Sequence, residues 1–359
     1  MMYYAAFVPG LQRVAADIVR TRLSDVRIDK LLDGAIVFET QCTYDRLNFF
    51  CFNNIFAVVS IIENPHPEAA IEYHMKVTLR QDRNPVIAEN NRKIQSFRLV
   101  FSDENQLVPV DEKIKRALEK HIAAQAQLRV DRSRPDTEFW FLYRREGFSV
   151  FMKRLTKHPP FEKALRPGEL PPPLAYMLCR LSDPKGGQVA VDPFCGYGSI
   201  LEARQKHFPP ALFYASDIDK KVIAAAERRI TGSLSPLCHV QKLDVRDIFS
   251  VVPEGAADAI ITDPPWGIHA GLPVPAGRFY EDIAGIFGRL LKPGGTAVVL
   301  TARAGELKVG AEKSGVLELK ETLPVLVSGR KASVLCLKKT ETNRRDKKEG
   351  TESAGQGFC

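Results

Sequence analysis

Cysteine is sparse and unpatterned in this chain of 359 residues. The seven cysteines (Cys42, Cys51, Cys179, Cys195, Cys238, Cys336 and Cys359) are odd in number and scattered, and no two have C-x-x-C spacing. That argues against a cysteine zinc site and a dithiol redox centre, so no metal is expected. Reduced thiols in the cytoplasm are the expectation. Long apolar runs are also missing: none approaches the roughly 20 residues that cross a bilayer, so no membrane partner is expected. Met1 to Arg20 lacks a basic stretch followed by an apolar one, and no secretory leader is expected. Acidic residues are the minority charge, 43 against 51 Lys and Arg, leaving +8 and a pI near 9.1. That excess is compatible with a nucleic-acid partner without establishing one. What is present in quantity is core-forming material, 45% apolar residues, on a length sufficient for two or three domains.

Asp263-Pro264-Pro265-Trp266-Gly267 is the most informative stretch. It follows Ala257 to Ile261, an apolar run that reads as a buried strand. It offers a carboxylate, two residues of fixed φ without an N–H, and a large ring. At the mouth of a sheet this arrangement suits a flat base with an exocyclic amine. Taken alone it is equally a proline-rich turn beside a core tryptophan, and its meaning depends on the residues upstream.

In the N-terminal half, Tyr3 to Val8 reads as a strand and Gly10-Leu11 opens a helix with Leu11, Val14, Ala15, Ile18 and Val19 on one face. Ile28 to Thr40 holds a hairpin signal at Asp33-Gly34. Tyr44 to Asn54 reads as a helix and Phe56 to Ile62 as a strand, giving the β-α-β-β-α-β order of a ferredoxin-like unit. Glu63 to Pro67 reads as a linker. Beyond it Ser96 to Ser102 and Glu138 to Tyr143 are strands, and Val110 to Gln127 is a helix. Cationic residues gather here, among them Arg129, Arg132, Arg144 and Arg145. Individually each is a solvated surface charge; together they suggest a phosphate-contacting face.

The proline-rich stretch from Pro159 to Pro173 separates two regimes of composition. After it strands and helices alternate, and acids close successive strands. Gln188 to Val191 ends in Asp192 and leads into the glycine turn Pro193 to Ser199. Gly196 and Gly198 allow backbone to approach a ligand. The turn lacks the third glycine of a dinucleotide fingerprint and is led by an acid, which would repel a pyrophosphate and suits an ammonium group. Leu212 to Ala215 precedes Asp217, 25 residues after Asp192, close to the spacing of an acid that reaches ribose hydroxyls. Asp219 reads as a helix cap. Asp244, after the strand Cys238 to Leu243, is either an acceptor for an adenine amine or a loop and cap acid. The last two strands, Val316 to Pro324 and Lys331 to Lys338, have no helix between them, so the final one should run antiparallel.

Asp192-Pro193-Phe194-Cys195-Gly196-Tyr197-Gly198 and Asp263-Pro264-Pro265-Trp266, in this order on these elements, resemble the first motif and the amine-directed motif of class I S-adenosylmethionine-dependent methyltransferases over residues 160 to 338. The Phe7 to Leu11 opening and the module ending in Val130-Asp131-Arg132, Pro135-Asp136 and Phe139 resemble THUMP-type RNA-methylating enzymes, and so the tRNA guanine-N2 members of the class. The resemblance implies an α/β chain in four parts. These are a ferredoxin-like domain at 1–62, a THUMP-like RNA-binding domain at 63–158, a Rossmann-like sheet of seven strands with the last antiparallel at 159–338, and a disordered tail at 339–359. It implies S-adenosylmethionine as cofactor, held by Asp192, Phe194, Gly196, Gly198, Asp217, Asp244 and the closing segment that ends at Leu170. It implies Asp263, Pro264 and Trp266 as the groups that hold a guanine 2-amino group, and tRNA as partner, with the enzyme a cytoplasmic monomer. Tyrosine is usual where Trp266 stands. An adenine 6-amino methyltransferase of the same fold, and a non-catalytic RNA-binding scaffold, are the alternatives.

Overall fold

A computed structural model describes residues 1–341 apart from 48, 65, 82, 90–93, 105, 157–164, 231–235, 268–270 and 273. The centre of the proline-rich stretch and the tail beyond 341 thus lie outside the described residues. The chain divides into two compact units, Met1–Leu165 and Arg166–Cys359.

In the first unit, β1 (Met2–Ala6), α1 (Gln12–Arg22), β2 (Arg27–Leu32), β3 (Ala35–Glu39) and β4 (Asn54–Glu63) form a sheet ordered β2-β3-β1-β4. That is the ferredoxin-like order without its second helix. Among its described residues Tyr44 to Asn54, expected as a helix, holds a 3₁₀ turn at Tyr44–Arg46 and no α-helix. Its aromatic residues explain the difference. Phe49 packs on Phe38 and Phe52, and Phe52 on Phe7, so the segment is anchored ring by ring to the core.

The unit continues through α2 (Pro67–Leu79), α3 (Pro85–Ala88), β5 (Ser96–Asp103), β6 (Gln106–Leu107), α4 (Glu112–Ala126), β7 (Arg129–Val130), β8 (Thr137–Arg144) and β9 (Phe148–Arg154). β4 pairs antiparallel with β9, so the regions on either side of Glu63 share one sheet. A stacked ladder, Phe101 on Phe141 on Phe151, supplies much of the core beneath α4.

The second unit holds α5 (Pro172–Leu181), β10 (Val189–Asp192), α6 (Ser199–His207), β11 (Leu212–Asp217), α7 (Lys220–Glu227), β12 (Cys238–Lys242), β13 (Ala257–Thr262), α8 (Ala276–Leu290), β14 (Leu291–Thr301), α9 (Ala304–Ser314), β15 (Leu317–Val327) and β16 (Arg330–Lys339). Its sheet runs β12-β11-β10-β13-β14-β16-β15, with β16 antiparallel to both neighbours. This is the seven-stranded Rossmann-like methyltransferase sheet expected from the sequence. α9 has no counterpart among those expectations, because Gly305 and Gly310 dilute its helical pattern. Strands buried on both faces, such as Ala257–Thr262, read as continuous apolar runs for the physical reason that helices cover both sides.

Candidate functional site

β10 lies between β11 and β13 and is parallel to both. The chain leaves β10 toward one neighbour and reaches the other later, and such a reversal opens a crevice at the C-terminal strand ends. A cavity of ≈ 550 Å³ opens there. Leu170, Asp192, Phe194, Gly196, Asp217, Asp244 and Asp263 all line it. Gly198, Pro264 and Trp266 do not.

Asp192 closes β10 and is fully buried. Its Oδ1 accepts from Thr262 Oγ1 at 2.6 Å and from the Phe194 N–H at 3.2 Å. Its Oδ2 is buried without a partner among the described residues. An acceptor aimed this way needs a donor. Burial pushes the Asp192 pKa up to about 7, against the pull of the Thr262 and Phe194 bonds and with help from nearby Asp217.

Asp217 accepts from the Gly196 N–H through Oδ2 and from the Asp219 N–H through Oδ1, both at 3.0 Å, and burial raises its pKa. Asp219 caps α7, its carboxylate accepting from the Lys221 N–H at 2.8 Å. Asp244 caps the 3₁₀ turn Val245–Ser250 and pairs with Arg246 at 2.5 Å, which lowers its pKa. Of its two readings from sequence, the cap is the one displayed, while its position still faces the cavity.

The glycines divide their work. Gly196 has φ +51° and open space where a Cβ would stand. Gly198 has φ +81°, and a Cβ there would come within 3.0 Å of Ala226 Cβ. It therefore serves the close packing of α6 on α7. Cys195 is buried, which pushes its thiol far above the usual range and disfavours the thiolate.

The segment from Arg166 to Leu170 is strapped down by Glu169. Its carboxylate pairs with Arg229, whose other nitrogen reaches Glu202 at 2.8 Å. The Arg166 guanidinium lies 4.9 Å from the centre of the Tyr197 ring. Arg229 and Glu202 carry no sequence motif, and only the fold brings them here.

At the end of β13, burial pushes the Asp263 pKa up to about 8 despite a hydrogen bond from Trp266, with Asp192 adding to the rise. Trp266 Nε1 donates to Asp263 Oδ1 at 2.8 Å. The indole expected as a stacking face is thus joined edge-on to the carboxylate, and Pro264 is buried beside it. Two residues missed in the sequence hold this turn. Tyr280 donates its hydroxyl to the Pro265 carbonyl at 3.1 Å and lies 2.7 Å from Thr301 Oγ1. Arg303 Nε donates to the Trp266 carbonyl at 3.2 Å. Both come from elements distant in sequence and offer no local signal.

The cationic candidates of the first unit are unequal. Arg129 and Arg145 are exposed. Arg132 is held by Glu119 at 2.8 Å and Glu112 at 2.9 Å, and Arg144 by Glu146 at 2.5 Å. Guanidiniums already paired offer less to a phosphate.

A family model described as RMKL-like, methyltransferase domain, matches residues 161–331. The tRNA (guanine(6)-N2)-methyltransferase of Thermus thermophilus is 35% identical over 159 residues, which span 43% of this chain and 47% of that one. A protein of Methanothermococcus thermolithotrophicus, named as a probable tRNA (guanine(10)-N2)-dimethyltransferase, is 30% identical over 135 residues, 36% of this chain and 80% of that one. The match with the Thermus relative thus spans about half of its length. The crystal structure of TrmN from Thermus thermophilus superposes with a TM-score of 0.76 at 23% identity, over 94% of this chain and 100% of that one, which shows a shared fold.

Proposed function

We propose, for a chain that belongs to the RMKL-like methyltransferase family, that it transfers a methyl group from S-adenosylmethionine to the 2-amino group of a guanosine in tRNA. The observation that carries the reading is the convergence of Asp192, Gly196, Asp217 and Asp263 on one cavity at the strand ends. Asp192 has a buried Oδ2 in need of a donor, which fits the ammonium of the methionine moiety. Asp217 closes β11 where an acid reaches ribose hydroxyls, and Asp244 faces the same space. S-adenosylmethionine supplies a methyl activated by a sulfonium, so neither a metal nor a protein nucleophile is required.

The residues of this chain position and accept. The guanine amine is a weak nucleophile because its lone pair is delocalised into the ring. The Asp263 carboxyl would accept from its hydrogens and turn the lone pair outward, so most of the gain is orientation. Asp263 would take the proton released as the N–C bond forms. A cation entering the cavity draws the elevated Asp192 and Asp263 pKa values down and favours their accepting forms. The base must leave its helix to reach this depth.

The first unit would hold the RNA, as its resemblance to THUMP modules suggests, with exposed Arg129 and Arg145 as phosphate contacts and Arg132 and Arg144 as braces for the local structure. No helix among the described residues is long and apolar enough to cross a membrane, and the six described cysteines are free thiols. The scattered cysteine pattern fits a reducing compartment such as the cytoplasm.

The test is transfer of a tritiated methyl group to unmodified tRNA, ribosomal RNA and DNA, followed by digestion to nucleosides. Label in N2-methylguanosine from tRNA is expected. Label in N6-methyladenine would replace the base assignment, and label in no product would overturn the activity. Asp263→Ala should lower transfer about 10²- to 10⁴-fold while S-adenosylmethionine affinity changes little. Full turnover in that variant would remove Asp263 from its role.

A further inference from the structure

Trp266 is in the place where a stacking ring is expected, yet the structure gives it a different task. Its ring is absent from the cavity wall that Asp263 and Pro265 share. Its Nε1–H is spent on Asp263 Oδ1, at 2.8 Å. Its own carbonyl is held by Arg303, and the preceding carbonyl by Tyr280. Tyr280 is in turn fixed to Thr301. The backbone of this turn is thus braced from two other elements, and the indole donor is aimed at the carboxyl group. A phenylalanine ring would keep an aromatic face but place no donor there.

We propose that Trp266 is a positioning residue whose contribution passes through its indole N–H: the bond commits Asp263 Oδ1 and leaves Oδ2 as the oxygen presented to the substrate amine. The proposal rests on the reading of Asp263 as the amine acceptor and deepens it. A hydrogen bond to the charged form of a carboxyl group favours that form. Trp266 therefore pulls the Asp263 pKa down, against burial and against Asp192, which both push it up. Among the described residues, the other groups facing this corner are the Tyr280 hydroxyl from α8 and the Arg303 guanidinium beyond β14, the latter paired with Glu306. None of them donates to Asp263 in the structure, so the indole sets the orientation.

The experiment compares the whole chain with Trp266→Phe, which retains a ring and loses the donor. The Asp263 carboxyl carbon, assigned by its disappearance in Asp263→Asn, is titrated by NMR without RNA. The midpoint should rise by about one unit in that variant. The alkaline shift should reappear in the pH profile of single-turnover methyl transfer, with a drop of about tenfold near pH 7 and an RNA KM within about twofold of the parent. A melting curve on each variant establishes that it folds. An unmoved carboxyl midpoint, or a raised RNA KM with an unshifted pH profile, would overturn the proposal in favour of ring stacking. The carboxyl titration requires no turnover. A shifted midpoint in a protein whose parent methylates no RNA would therefore strike the proposed activity and leave the Trp266–Asp263 coupling standing.

Discussion

Asp263→Asn should make the protein more stable as it makes it inactive, and the gain should depend on pH. In the unfolded chain an aspartate loses its proton near pH ~4, whereas burial keeps the folded Asp263 protonated up to about 8. Between those values the folded state binds more protons than the unfolded state. Stability contributed by this site therefore falls as pH rises from about 4 to about 8, and is level above that. At pH 7 the interval already crossed is about three units, an upper bound near 4 kcal/mol. Asp263 keeps partial contact with solvent, and about half of that, ~2 kcal/mol, is the reasonable expectation. Asparagine has no proton to surrender and can still accept from Trp266 Nε1, so it escapes the penalty. For a unit of this size ~2 kcal/mol corresponds to about 4–8 °C in Tm. Thermal unfolding of parent and variant from pH 5 to 9 reads the difference directly. The gap should widen from pH 5 to 8 and then stay constant. A gap independent of pH, or a variant less stable than its parent at pH 8, would refute the account of Asp263 as a buried, proton-holding acid.

Other substitutions test neighbouring parts of the site. Gly198→Ala forces a Cβ within 3.0 Å of Ala226 at a φ of +81°; it should cost about 1–3 kcal/mol, seen as a lower Tm. Glu169→Gln breaks the pair with Arg229 that ties the Arg166 to Leu170 segment to α6; calorimetry should show S-adenosylmethionine binding weakened about tenfold, the scale of one lost charge-assisted bond. Tyr280→Phe removes the donor to the Pro265 carbonyl; kcat should fall more than the RNA KM rises, because the bond orients the turn that carries Asp263, the proposed acceptor.

How much of this could be read from the chain differs between its parts, for definite reasons. The second unit was legible because its strands are buried on both faces, and covered strands read as unbroken apolar runs closed by acids. Asp192, Asp217 and Asp263 stood out because a strand end is a fixed position that local sequence marks. The antiparallel last strand followed from the absence of a helix before it. In the first unit, Tyr44 to Asn54 carried a helical look, and ring contacts with Phe7 and Phe38 overrode it. Tertiary packing of aromatics outweighs the few tenths of a kcal/mol per residue by which propensities differ.

Residue type and spacing along the chain determined that three acids and a glycine turn would meet at one sheet edge, since parallel strands bring their C-terminal ends together. Whether each group would be available was a matter of its neighbours. Arg132 and Arg144 were taken up by glutamates, Gly198 by Ala226, and the Trp266 N–H by Asp263. Those pairings join residues through space. Only the folded chain decides them, because a hydrogen bond of 2.8 Å and a carboxyl pKa of about 8 depend on what lies a few ångströms away, and sequence neighbours seldom do.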